Sequence, residues 1–220
     1  MKRTLSILVI SFALATSSCN MLIKVPFGGP KLIPKETFSV HEAAQKSANI
    51  TAAALALAPS NGSLNLAGGA KELADGTIDY NVADWKPTVV VEGATLHIEQ
   101  KMPDNVVAST PTGALNQWDL KLGEGLTSIA VSCPAGDYTL NFADTLPDGA
   151  SISVSAGAGN LRLVFPVGAT VKVEVHRGPA NISTEGKWTT SGEIYSSGNS
   201  GPDWAVKVDI GVGNLTLAAR

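Results

Sequence analysis

The stretches GAGNLRLVF (Gly157–Phe165) and GVGNLTL (Gly211–Leu217) repeat one phrase, and each opens with Gly-x-Gly, as a phosphate-cradling loop does. A dinucleotide site needs G-x-G-x-x-G between a strand and a helix whose N-terminal amides meet the pyrophosphate. Here Arg162 and Thr216 stand where the third glycine belongs, and the chain continues with the period of two that marks a strand. The glycines are therefore expected to turn corners in β-structure, either with positive φ or because no Cβ fits.

Working outward, the same pattern recurs. TSIAVSCPAGDYTLNF (127–142) lies under ASISVSAGAGNLRLVF (150–165), and TVKVEVHRGPANI (170–182) and AVKVDIGVGNLTL (205–217) follow suit. The glycines that align are Gly136, Gly159, Gly178 and Gly213. Alternation puts Ile129, Val131, Ile152, Val154, Val171, Val173, Val206 and Val208 on one face. Ser128, Ser151, Ser153, Lys172, Glu174, Lys207 and Asp209 fall on the other. Strand pairs with one apolar face cannot bury it alone, whereas stacked neighbours share a core. The expected fold is all-β, a single-stranded β-solenoid-like stack of short rungs. A β-sandwich is the alternative, since it also suits many short strands and Gly-rich turns. The Gly/Ser/Thr-rich stretch 183–204 is expected to form a hairpin or surface loop. The segment EAAQKSANITAAALALAP (42–59) is alanine-rich, and of helix and strand the strand is favoured because Ile50, Thr51 and ALALAP lead into Pro59 and Asn61.

The N-terminus has a different character. MKRTLSILVISFALATSSC has a basic start at Lys2 and Arg3, an apolar run from Leu5 to Ala15 and small residues before Cys19. The run is shorter than the about 17 residues a membrane span needs and has signal-peptide form. TSSC resembles the bacterial lipobox, with Thr16 where leucine is usual. Residues 1–18 are thus expected to be a lipoprotein signal peptide and Cys19 a lipidation site carrying acyl chains such as palmitate. Residues 19–37, with Pro26, Pro30 and Pro34, are expected to be a tether. The expected place is the extracytoplasmic side of a bacterial envelope, with the membrane as partner through the lipid. With a formal charge of −3 there is no basic surplus for nucleic acid.

Assembled chemistry is sparse. His41, His97 and His176 lie in separate segments without metal-ligand spacing. Asp137, Asp144, Asp148 and Asp203, the carboxylates a glycosidase could pair, lie beside or within three residues of Gly or Pro, where Asp favours turns. Serines lack a nearby base and no G-x-S-x-G elbow occurs. Cys133 is expected to be a small buried apolar residue. No catalytic, cofactor-binding or metal-binding residue is assigned. Trp85, Trp118, Trp188 and Trp204 either cap the apolar core or, exposed together, offer a stacking surface. Trp188 and Trp204 are the candidates for such a partner surface.

Three stretches carry a family resemblance: 62–100, with GSLNLAGG, DGTIDY and WKP in order; 116–142, with Trp118 ahead of the first repeat; and 157–217. Together they resemble the toast-rack domain and the related C-terminal domain of LiaF-like cell-wall-active antibiotic response proteins. The resemblance divides the body into a toast-rack-like part, 38–115, and a LiaF-like repeat part, 116–220. It implies an all-β, rung-like body at a bacterial envelope, and no catalytic residue or cofactor. It further implies a structural or interaction role linked to the envelope stress response. A binding module for wall glycan, peptide or a surface partner is the alternative, followed by a polysaccharide-acting enzyme.

Overall fold

The computed structural model describes residues 31–42, 49–58, 60–100, 112–198 and 200–220. The expected signal peptide, Cys19 and residues 19–30 of the expected tether lie outside them. Strands dominate: β1 (Leu32–Glu42), β2 (Ala52–Ala56), β3 (Ser60–Ala70), β4 (Ala74–Val82), β5 (Pro87–Glu92), β6 (Thr95–Gln100) and β7 (Asn116–Gly123). They continue with β8 (Ser128–Phe142), β9 (Ser151–Phe165), β10 (Thr170–Arg177), β11 (Ala180–Glu185), β12 (Thr189–Ser191), β13 (Ile194–Ser197) and β14 (Asp203–Ala219). A 3-10 turn at Ala83–Trp85 is the one helical piece among the described residues. The strand reading of the alanine-rich segment holds at Ala52–Ala56. The tether ends sooner than its sequence suggests. Pro34 is tolerated in β1, an outermost strand, at a place where the pairing with β4 slips between Leu32 and Glu36.

The longest strands show how sequence makes a coil. In β9, Ile152 and Val154 point inward before Gly157, and Leu161, Leu163 and Phe165 do so after Gly159. The inward set thus changes from even to odd numbers across the corner. β14 makes the same switch, from Val206 and Val208 to Leu215 and Leu217, and β8 changes parity in the opposite sense, from Ile129 and Val131 to Leu140 and Phe142. Strict alternation would keep one parity inward along the whole strand, so the switch marks a break in the alternation at the corner, where Gly136, Gly159 and Gly213 take positive φ. Each long strand is therefore two arms joined at a glycine corner, with the arms facing one another across the apolar interior.

Shorter strands complete the same plan in pairs: β2 with β3, β6 with β7, and β10 with β11. First arms lie in the order β5-β6-β2-β8-β9-β14-β10-β13-β12, and second arms in the order β1-β4-β7-β3-β8-β9-β14-β11. The coils pair parallel and in register, and antiparallel strands close the ends. The result is a β-solenoid-like stack with an open sheet. The stacking order is not chain order: β14, the last strand, sits between β9 and the β10–β11 pair. The hairpin expected in 183–204 is β12–β13, laid on β10. The sheet runs on without a break across residue 115, since β7 pairs with both β3 and β4.

Register converts repeats into ladders. Leu55, Val131, Val154 and Val208 stack in one arm, and Leu64, Leu140, Leu163 and Leu217 in the other. The Phe142 and Phe165 rings stack at 5.4 Å between centroids. The corner glycines form two columns. Gly136, Gly159 and Gly213 stand in register, with φ of 138°, 124° and 135°. A Cβ on Gly159 would lie 2.0 Å from the Gly136 carbonyl oxygen, and one on Gly213 would lie 1.8 Å from that of Gly159. Gly178 does not belong to this column, because Ala180 is the residue opposite Gly213. It stands in the second column, where a Cβ would meet the Gly211 carbonyl oxygen at 2.4 Å. The sequence alignment placed it two residues out because β10 and β11 break at the corner that the long strands pass through.

Candidate functional site

Where the coils of β2–β3 and β6–β7 break at the corner, the glycine column ends and side chains hold the backbone instead. A buried polar network replaces it. Gln100 Oε1 accepts from the Ala58 backbone N–H at 2.9 Å and from Asn116 Nδ2 at 2.8 Å, while Gln100 Nε2 donates to Asn116 Oδ1 at 3.0 Å. Trp118 Nε1 donates to the same Asn116 oxygen at 2.8 Å, and Tyr138 Oη donates to the Ala58 carbonyl at 2.8 Å. Ser60, Gln100 and Asn116 are all buried, and burial pushes the Tyr138 phenol well above its usual range. The network is a structural clamp, closed on itself. Asn116→Leu leaves the Trp118 N–H and one side of Gln100 unpaired in the interior. It is expected to cost about 2–4 kcal/mol, read from urea unfolding, with a smaller loss for Asn81→Leu, since Asn81 is only half-buried and its partners, the Leu115 N–H and the Gly113 carbonyl, lie nearer solvent.

These residues were missed in the sequence, although a signal was present. Asn116 sits in phase with the inward-facing Trp118, Leu120 and Leu122 of NQWDLKL.

The outer face of the second arms is broad and polar. One row in register crosses eight strands: Thr37, Asp79, Gln117, Ser63, Thr139, Arg162, Thr216 and Ser183. At about 4.8 Å per strand it spans roughly 34 Å. Its charges are matched at close range. Lys35 Nζ lies 2.6 Å from Asp79, and Arg162 grips Glu185 with both nitrogens at 2.6 Å. Arg162 and Arg220 together hold the Glu185 carboxyl down at about 2. Beside this row, at the corner, Asn181 Nδ2 donates to Asn214, Asn214 to Asn160 at 2.7 Å, and Asn160 to Asp137 at 2.6 Å. The ladder uses the residue after each corner, which the repeated Gly-Asn phrase already contains.

The individually considered groups are scattered. His41 pairs with Asp75 at 2.7 Å, His97 with Glu99 at 3.0 Å and His176 with Glu174 at 3.0 Å, on separate strands. The hydrogen bond that the His41 ring donates to the Asp75 carboxylate raises the His41 pKa. No group of three metal-capable side chains converges among the described residues. Asp148 Oδ1 accepts from the Asp203 backbone N–H at 2.7 Å and from Gly149 at 3.1 Å, a turn-holding role. Cys133 is buried, which pushes its thiol up to about 12.

Trp204 cannot belong to a partner surface. It is 2% exposed and packs 6.5 Å from Phe165, because its position in β14 is in phase with Val206 and Val208. Trp85 and Trp118 are buried as well. Trp188 is half-buried; its indole N–H donates to the Glu185 carbonyl at 3.0 Å and its ring meets Phe165 edge-on.

The family model described as "N-terminal domain of toast_rack, DUF2154" matches residues 31–185. The chain belongs to the toast-rack family. Strand β14, which lies beyond the matched residues, is nonetheless central to this toast-rack sheet. No curated protein matches the chain in sequence. Among solved structures, the toast-rack fold is similar to a "putative cell adhesion protein" from Clostridium sporogenes ATCC 15579. The two are 20% identical with a TM-score of 0.56, over 87% of this chain and 100% of that one. A "putative adhesin" from Bacteroides fragilis NCTC 9343 aligns at 11% identity and a TM-score of 0.25, over 86% of this chain and 98% of that one.

Proposed function

We propose that this toast-rack protein is a non-catalytic binding module of the bacterial cell envelope, anchored through a lipid on Cys19, that meets wall glycan with the outer face of its second arms. The observation that carries this reading is the eight-strand polar row. With Asp79 and Arg162 neutralised by close partners, the row offers five hydroxyls and the Gln117 amide, groups that hydrogen-bond a sugar polymer. Its breadth suits an extended ligand rather than a small molecule in a cleft. The Clostridium sporogenes protein of similar fold, described as a "putative cell adhesion protein", is consistent with a surface-binding role.

The test uses the full-length chain in membrane fractions and in mild detergent. Cys19→Ser is expected to move the protein out of the membrane fraction. The detergent-extracted chain is expected to co-sediment with isolated cell-wall glycan. Gln117→Lys and Thr139→Lys in the row are expected to weaken that at least tenfold, while Ser153→Lys on the other outer face leaves it intact. Absence of co-sedimentation, or equal loss in all three variants, would overturn the glycan assignment.

A further inference from the structure

Sheets end in edges, and exposed edges recruit other strands unless something blocks them. Four strands are edges among the described residues: β1, β5, β11 and β12. Three are blunted. β1 carries Pro34 and a slip in its register. β12 is three residues long. β11 has its Ala180 carbonyl taken by Arg177 Nη1 at 2.8 Å and its Glu185 carbonyl by Trp188 Nε1. β5 differs from all of them. It pairs with β6 alone, in unbroken register from Pro87 opposite Gln100 to Glu92 opposite Thr95. Between those ends lies Thr-Val-Val-Val, with no proline, charge or bulge. Val90 is 47% exposed, and Val89 and Val91 are half-buried against the core.

From this contrast we infer that β5 is an assembly edge and that its occupant is the β5 strand of a second copy of this chain, paired antiparallel about a two-fold axis at Val90. The strand is self-complementary in that register. Val90 meets its own mate on the outer face. Val89 meets Val91 of the partner on the inner face, so the apolar interior runs on from one copy into the next. Glu92 falls opposite Thr88, which keeps like charges from facing each other directly. Moving the axis to Val91 sets Val90 against Glu92 and Val89 against Gly93, and moving it to Val89 sets Pro87 inside the new ladder. An isologous contact of this kind closes at two copies, which protects the edge from open-ended growth.

The experiment is light scattering on the full-length chain in mild detergent across a concentration series, followed by oxidative cross-linking in a Cys19→Ser background. The wild-type chain is expected to dimerise, and Val90→Lys to raise the dissociation constant at least tenfold while leaving the far-UV spectrum unchanged and thermal unfolding cooperative. Val90→Cys is expected to form a disulfide-linked dimer, because cross-strand mates lie within bonding distance. Val212→Cys, at a comparably exposed valine on a corner, is the control and is expected to stay monomeric on a non-reducing gel. A chain that is monomeric at every concentration overturns the inference. So does a dimer that survives Val90→Lys while Val90→Cys links no better than Val212→Cys, since that places the contact on another face.

Discussion

Gly159→Ala is expected to destabilise the protein by about 4 kcal/mol or more, a cost large enough to leave much of the chain insoluble at 37 °C. Two terms combine. Gly159 has a φ of 124°, which an L side chain rarely adopts, and the added Cβ would lie 2.0 Å from the Gly136 carbonyl oxygen of the neighbouring coil. Backbone, not a flexible side chain, is in the way, so relief requires two coils to separate and their inter-strand hydrogen bonds to lengthen. Gly149→Ala isolates the first term, because Gly149 has a φ of 74° and open space where the Cβ would go. It is expected to cost about 1 kcal/mol. Thermal unfolding followed by circular dichroism distinguishes the two. In a domain of this size each kcal/mol moves the midpoint by about 2–4 °C, so Gly159→Ala should fall at least about 8 °C below wild type and well below Gly149→Ala. Equal midpoints for the two variants would mean that the corner columns do not pack as described.

Ending the chain after Pro202 is expected to abolish folding. The missing piece, β14, carries Trp204, Val206, Val208, Ile210, Leu215 and Leu217, all buried. Each large apolar side chain contributes about 1.5–3 kcal/mol by leaving water. Their sum rivals the entire net stability of a domain, about 5–15 kcal/mol. The loss is also topological. β14 is the strand that joins β9 to β10 and β11, so without it the β10–β13 unit has no partner in the sheet. The truncated chain should appear in inclusion bodies and, after refolding trials, lack cooperative unfolding. Removal of β1, an edge strand whose inward residues are Phe38 and Val40, should be milder and leave a cooperative transition.

Much of this architecture was legible in the sequence because it rests on two strictly periodic quantities. Side-chain alternation named the inward residues of β8, β9, β10 and β14. The missing third glycine after Gly157 and Gly211 removed the nucleotide site. The resemblance to the toast-rack family likewise pointed to a rung-like β body, in agreement with the family match. Other features were not legible for physical reasons. Stacking order depends on which edges meet in space, and nothing in the repeat of β14 marks it for insertion between β9 and β10. Gly178 was misplaced because glycine spacing along the chain does not report register between strands that break at the corner. The Gln100–Asn116–Ser60 network joins residues from three strands, and although each polar side chain stands in its strand's inward phase, that phase does not tell which strands meet at the corner. Of the two readings open to Trp204, core and partner surface, strand phase decided for the core, since it alternates inward with Val206 and Val208. The polar row of the second arms was the least visible feature, since single Ser, Thr and Gln residues become a surface only when eight strands align.

The insertion of β14 between β9 and β10 is the central claim, and paired cysteines test it most directly. Ser153, Lys207 and Lys172 share one exposed face. Ser153 is in register with Lys207, and Lys207 lies between Ser153 and the β10 strand that carries Lys172. Adjacent strands place their Cα atoms about 4.8 Å apart, and strands one removed about 9.5 Å apart, while a disulfide needs roughly 4.4–6.8 Å. Oxidation of the Ser153→Cys/Lys207→Cys variant, mapped by peptide mass, should therefore give near-complete bridging, and the Ser153→Cys/Lys172→Cys variant should give none. The reverse result, a bridge from 153 to 172 and none to 207, would show coils stacked in chain order and contradict the topology described.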